Sequence, residues 1–265
     1  MPITSFPQET KEVVMLYNDT VRLEFSPSGH RYKIFHNGVE QFGTKGVTTV
    51  IGIIDKPELL QWSANVASAT WVEGLKGQVT YDELLISRLS KEAPVAWRVK
   101  RDTAGDLGTL IHAWIESYIK AKINKTALPG APINPIIQSS VMKFIEWEKE
   151  NVQSFVASEM KLYSLKHNVA GTGDFLYINK LGKLCLGDIK TSKGIYKTFF
   201  VQLAGYKYML EEEDSRIKID EMVIVRVGKD DGEIEVKKVE DYQSYAKAFL
   251  ACVILHNILK PVKTK

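Results

Sequence analysis

The alternation of apolar and polar residues sets the elements. Near the N-terminus, VRLEF (21–25) and RYKIF (31–35) flank the turn SPSGH and alternate with period two, which predicts a β-hairpin. Residues 1–12 read as a polar lead-in, and a turn at HNG leads into VEQF. From GVTTVIGII onward the texture is helical. Thr48 and Thr49 are placed to cap a helix, and Pro57 to open a second at its first turn. Asp82 opens the helical stretch DELLISRLSKEA, Pro94 interrupts it, and an amphipathic helix follows over residues 106–123. The proline-rich TALPGAPINP (126–135) is a loop, and 136–151 is a further helix.

The period then changes. FVASEMKLYSL, VAGTGDFLYIN and KLCLGDIKTS predict three strands, and FFVQLAGYKYMLEEE a helix. EMVIVRVGK and EIEVKKV are two strands about a DDG turn, and DYQSYAKAFLACVILHNIL closes the chain as an amphipathic helix. The expected architecture is one α/β domain over 1–265, a central mixed β-sheet flanked by helices. It divides into an N-terminal β elaboration (1–56), a helical region (57–150) and a core of sheet and helices (151–265).

Composition narrows the classes without choosing among them. A 45% hydrophobic and 25% charged chain is an ordinary globular one. Thirty-five basic against 32 acidic residues leave a net charge of +3, too little to argue nucleic-acid binding without a local basic patch. The two cysteines, Cys185 and Cys252, sit in apolar contexts. They point to a reducing compartment and cannot make a four-cysteine zinc or iron–sulfur site. The first residues show no basic-then-apolar leader, and no apolar run approaches the ~18–20 residues of a membrane span. The expected location is therefore cytoplasmic, with no membrane contact.

The chemistry gathers in GTGDFLYINKLGKLCLGDIKTSK (171–193). Acidic residues are depleted in strands, yet Asp174 and Asp188 each follow a glycine inside apolar strands. Residues i and i+2 of a strand share a face, so Asp188 and Lys190 project together and Ile189 turns the other way. Asp174 reaches the same cluster from the neighbouring strand. Two carboxylates so placed repel unless a cation lies between them, and oxygen ligands suit magnesium or manganese. A lysine beside a metal-bound water fits phosphodiester hydrolysis. The bland alternative is a surface hairpin with solvated Asp–Lys pairs.

Other residues support this reading or are neutral to it. Glu159 is a third carboxylate for the cluster or an exposed residue of an alternating strand. Gln202 and Tyr206, at i and i+4, hold a phosphate and a base, or are a surface Gln and a core Tyr. His112 and Glu116, also i and i+4, are metal ligands or a packed histidine with its neighbour. Trp97, Arg98, Lys100 and Arg101 form a basic and aromatic cluster suited to phosphate contact and base stacking, or a solvated helix face around one core Trp. Lys161, Lys166, Lys193 and Lys197 flank the hairpin as a possible phosphate track.

The combination G-T-x-D at 171–174, G-D-I-K-T at 187–191 and Q-x-x-x-Y at 202–206 resembles the PD-(D/E)XK nuclease superfamily. The G-T-x-x-H at 108–112 is similar to its RecB-like branch, which includes bacteriophage exonuclease-like proteins and the mitochondrial genome maintenance exonuclease. The resemblance covers residues 46–210. It implies a restriction-endonuclease-like core and a magnesium- or manganese-dependent deoxyribonuclease, an exonuclease on single-stranded DNA or DNA ends. It also implies a phage-encoded protein acting in the host cytoplasm. Asp174, Asp188, His112 and the Ile189 backbone carbonyl would bind one or two metal ions, with Glu159 matching the acid of the preceding strand. Lys190 would activate water, and Gln202 and Tyr206 match the motif after the hairpin. Trp97, Arg98, Arg101 and Lys193 are expected to hold the strand. Gly173 stands where the superfamily has proline, and the cysteines of the iron–sulfur subgroups are missing. The rivals are a structure-specific endonuclease on the same core and a catalytically idle DNA-binding module.

Overall fold

A computed structural model describes residues 11–259 apart from 79, 81 and 230–232. The N-terminal alternation folds as a four-stranded antiparallel meander: β1 (Glu12–Leu16), β2 (Val21–Ser26), β3 (Arg31–His36) and β4 (Val39–Gln41), paired in that order. Its inward residues Leu16, Val21, Leu23, Phe25 and Ile34 pack on Tyr163 and Ala170 of the main sheet. The first strand was not expected. The turn before β2 is built from Tyr17, Asn18 and Asp19 at φ of 54°, 51° and 65°, with no Gly or Pro to mark it.

Next come β5 (Lys45–Gly46), α1 (Val47–Ile51), α2 (Pro57–Leu75), α3 (Glu83–Glu92), α4 (Ala96–Asn124) and α5 (Pro135–Asn151). Thr48 and Thr49 lie inside α1 rather than capping it; Gly46 holds the cap position and no side chain caps the helix. Pro57 is at the start of α2, as expected. Asp82 caps α3 by accepting from the Leu85 N–H at 2.7 Å. Pro94 sits in a 3-10 turn, Ala93–Val95, that runs directly into α4. The amphipathic helix therefore begins ten residues before its expected start.

The main sheet follows with β6 (Val152–Ser164), β7 (Val169–Asn179), β8 (Leu184–Lys190), β9 (Glu221–Val227) and β10 (Ile234–Lys238). Helices α6 (Lys197–Glu213) and α7 (Tyr242–Ile258) complete the fold. The strand order is β10-β9-β8-β7-β5, with β6 also on β7. β7 is antiparallel to β6 and β8, while β8 is parallel to β9 and β5 to β7, so the sheet is mixed. The expected DDG turn lies outside the described residues.

Alternation puts the two faces of this sheet to different uses. Phe175, Tyr177, Cys185, Ile189, Val223 and Val225 pack under α4 and α5 with Ile111, Ile115 and Phe144. Leu176, Leu186, Met222 and Ile224 pack under α1, α6 and α7 with Val47, Leu203, Met209 and Phe249. The architecture is thus the expected one: a mixed central sheet flanked by helices, with the antiparallel N-terminal sheet appended. Among the described residues, no helix is long and apolar enough to cross a membrane.

Candidate active site

The strand pairings leave a fork in the main sheet. β6 takes one edge of β7 along its length; on the other edge, β5 pairs with Val169 and Ala170 and β8 with Phe175 through Ile178. Among the described residues, 171–174 therefore have no ladder partner on that edge. Asp174 lies at the point of divergence, and its Oδ2 accepts the Ile189 N–H at 2.7 Å. A side chain thus replaces the missing ladder bond and pins the end of β8. Gly187 tightens the fork, since a Cβ there would fall 2.1 Å from the Phe175 ring.

Asp188 shares its strand face with Leu186 and Lys190, while Ile189 points into the core under α4 and α5. Asp188 is 1% exposed, and neither of its carboxylate oxygens accepts a well-directed hydrogen bond. The Lys190 Nζ is 2.5 Å from Oδ2 as an ion-pair contact. Burial pushes the Asp188 carboxyl up to about 6 despite that ammonium, and the neighbouring Asp174 charge adds to the rise. Asp174 is raised as well, chiefly by burial, with Lys190 and the Ile189 N–H opposing.

Two further elements bring titratable groups to the fork. His112 on α4 has Nδ1 3.9 Å from Asp174 Oδ2. Burial and the Lys190 charge lower its pKa to about 4, so its imidazole is neutral at pH 7. Glu159 on β6 is opposite Asp174 by register, between the pairs Ser158–Phe175 and Met160–Gly173. Its φ is 53°, a left-handed conformation unusual for a non-glycine residue in a strand. Burial, then Asp174 and Glu116, push its carboxyl up to about 7. The Lys161 Nζ lies 3.8 Å from Glu159 and 3.1 Å from Glu12.

Glu116, one turn beyond His112, is ion-paired to Lys120. Gln202 and Tyr206 do not line the opening; both are buried, and the Gln202 Nε2 donates to the Tyr206 OH at 2.7 Å. Burial, then the Asp188 charge, push the Tyr206 phenol well above its ordinary value.

A cleft of about 980 Å³ opens over the fork. Its walls include His112, Glu116, Glu159 and Lys190, with Lys56, Lys100, Arg101, Lys193 and Lys229 as further cations and Trp62, Tyr196 and Phe199 as aromatics. Asp174 and Asp188 lie just behind His112 and Lys190. Arg101 and Lys193 reach the cleft, whereas Trp97 and Arg98 do not line it. Trp97 instead carries the Arg98 and Arg101 guanidiniums 5.6 Å and 5.1 Å from its ring centroid. Trp62, Tyr196 and Phe199 were not singled out in the sequence, where no motif or spacing marks them. Arg226 was also missed. It is buried beside Lys190 in register, and its Nε donates to the Ser192 carbonyl at 2.8 Å. A charged residue inside the apolar run EMVIVRV was its one signal.

Among the described residues, no three His, Cys, Asp or Glu side chains already stand as an ion cage. The donors nevertheless suit a hard divalent cation. Two buried Asp188 oxygens lack hydrogen bonds, Asp174 is adjacent, and all are carboxylate oxygens.

No family model and no curated protein matches this chain. Among solved structures it is similar to SSO0001 at 15% identity, over 50% of this chain and 73% of that one, with a TM-score of 0.29. It is also similar to a candidate exonuclease from Eubacterium rectale at 13% identity and a TM-score of 0.37. That match covers 57% of this chain and 65% of the other, just under two thirds of its length. Likenesses this distant do not assign an activity.

Proposed function

We propose that this protein is a divalent-metal-dependent deoxyribonuclease, an exonuclease on single-stranded DNA or DNA ends, of the RecB-like PD-(D/E)XK kind that its motifs resemble. The observation that carries the reading is Asp188: a buried carboxylate beside a second buried carboxylate, 2.5 Å from a lysine, under a cation-lined cleft. Two adjacent buried carboxylates with one ammonium beside them are a costly arrangement in general, and such costs concentrate at functional sites.

Asp174 and Asp188 would hold magnesium or manganese, with Glu159, His112 and the Ile189 carbonyl completing the donor set. The bound ion would acidify a water and polarise the phosphoryl oxygen. The protein's own groups do the rest. His112, neutral at pH 7, offers an unprotonated nitrogen. Lys190 orients the attacking water and offsets charge growing on the phosphate. Arg101 and Lys193 track phosphates along the cleft. Gln202 and Tyr206 back the carboxylates from behind.

The test compares linear with circular single-stranded DNA, in magnesium, in manganese and in chelator. The expected result is metal-dependent loss of the linear strand with the circle intact. Cleavage of the circle would make the protein an endonuclease. Salt-sensitive binding of both strands without cleavage in any metal would make it a binding module.

A further inference from the structure

Two of the cleft's aromatic residues stand at the start of α6. Tyr196 immediately precedes the helix and Phe199 lies in its first turn, where the Phe199 N–H donates to the Tyr196 carbonyl at 3.0 Å. Their rings meet edge to face, with centroids 5.4 Å apart and planes at 80°. The face of Phe199 carries the Lys190 Nζ at 5.1 Å from its centroid. That same ammonium is 2.5 Å from Asp188. Both rings line the cleft, and Tyr196 is 41% exposed within it.

We propose that Tyr196 and Phe199 form a two-ring seat: Tyr196 stacks on an unpaired nucleobase next to the reacting phosphate, and Phe199 positions Lys190. This rests on the nuclease reading above and adds the subsite that recognises unpaired bases. Three features support it. An exposed aromatic face inside a cation-lined cleft is the arrangement by which single strands are gripped without regard to sequence, because every base has a π-face. A base inside a duplex is held in its stack by pairing as well as stacking, whereas a base of a single strand leaves its stack at lower cost, so such a seat favours unpaired DNA. The lysine is held between a carboxylate and a ring face, which leaves its long flexible stem one place to stand. Tyr196 is thus a binding residue, and Phe199 is a positioning residue acting through Lys190.

The two roles separate kinetically on linear single-stranded DNA with magnesium. Tyr196→Leu is expected to raise KM roughly 5- to 150-fold, the range for losing one stacked base, with kcat within about twofold. Tyr196→Phe keeps the ring and should recover most of the affinity that Tyr196→Leu loses. Phe199→Leu is expected to lower kcat roughly 2- to 30-fold at nearly constant KM, and Phe199→Tyr to restore it. A second measurement does not need turnover: quenching of 2-aminopurine in a single strand bound in chelator, lost in Tyr196→Leu and kept in Tyr196→Phe. If the protein cleaves and Tyr196→Leu retains both the original KM and the quench, the seat is wrong while the nuclease stands. If the protein never cleaves but the quench depends on Tyr196, the seat stands and the nuclease reading falls. Loss of kcat in Phe199→Tyr equal to that in Phe199→Leu would overturn the positioning role.

Discussion

Replacing Gly108 by alanine tests how α4 is seated against the end of β8. A Cβ at Gly108 would lie 2.6 Å from the Thr191 Oγ1 and 3.6 Å from the Thr191 Cβ. Ordinary contact begins at 3.4 Å, so either the helix or the Thr191 side chain must give by about 0.8 Å. Two effects oppose each other. Alanine is worth ~1 kcal/mol over glycine in a helix interior. An overpacked contact costs ~1–3 kcal/mol. The expected net is a loss of up to ~2 kcal/mol. Thr191→Ala removes the offending oxygen and leaves only the 3.6 Å contact, so in that background Gly108→Ala should gain ~0.5–1 kcal/mol. Urea unfolding of the four proteins closes the cycle, with an expected coupling of at least ~1 kcal/mol. His112 lies one turn past Gly108, 3.9 Å from Asp174. A displacement near 1 Å can cost ~100-fold in rate, so DNA cleavage should fall in Gly108→Ala and recover in the double variant relative to Thr191→Ala alone. Equal stabilisation by alanine in both backgrounds, with activity unchanged, would refute this seating of α4.

The other predictions concern charge. Magnesium or manganese at 100 times its Kd should stabilise the protein by ~2.7 kcal/mol in thermal melts, and should do so neither in Asp188→Asn nor in Asp174→Asn. Glu159, raised from 4.5 to about 7, keeps an extra proton in the fold, so its contribution to stability falls as pH rises from about 4.5 to 7. Without metal, Glu159→Gln should therefore gain on the unmodified protein between pH 5 and pH 8, by on the order of 2 kcal/mol in paired denaturation curves. His112, lowered to about 4, gives the opposite slope below pH 6.5, but it is common to both proteins and cancels in the difference. Arg226→Met should cost ~1–3 kcal/mol in urea unfolding through the lost bond to Ser192, and should lower cleavage by loosening the segment after Lys190.

Much of the fold was legible because the core strands keep strict periodicity. Asp188 and Lys190 are on one face and Ile189 on the other, as i and i+2 alternation requires. Glu159 lands opposite Asp174 because β6 and β7 pair in register across a tight turn. What stayed hidden depended on long-range contacts or on backbone without markers. The turn at Tyr17–Asp19 uses left-handed residues other than glycine, so β1 was lost in the lead-in. The cap at α1 went to Gly46 because the threonines sit one and two residues inside. Spacing correctly put Gln202 and Tyr206 on one helix face, but only packing decides whether that face meets solvent or the sheet. Trp97 illustrates the same limit: its cluster with Arg98 and Arg101 forms, yet only Arg101 reaches the cleft.

The central claim is most directly tested with linear single-stranded DNA labelled at one end or the other, incubated with magnesium, manganese or chelator, beside Lys190→Ala. The expected result is metal-dependent release of label by the unmodified protein, with the order of release giving the polarity. Lys190→Ala, whose folding is checked by its melting curve, should release none. Full cleavage by Lys190→Ala, or cleavage that persists in chelator, would contradict it.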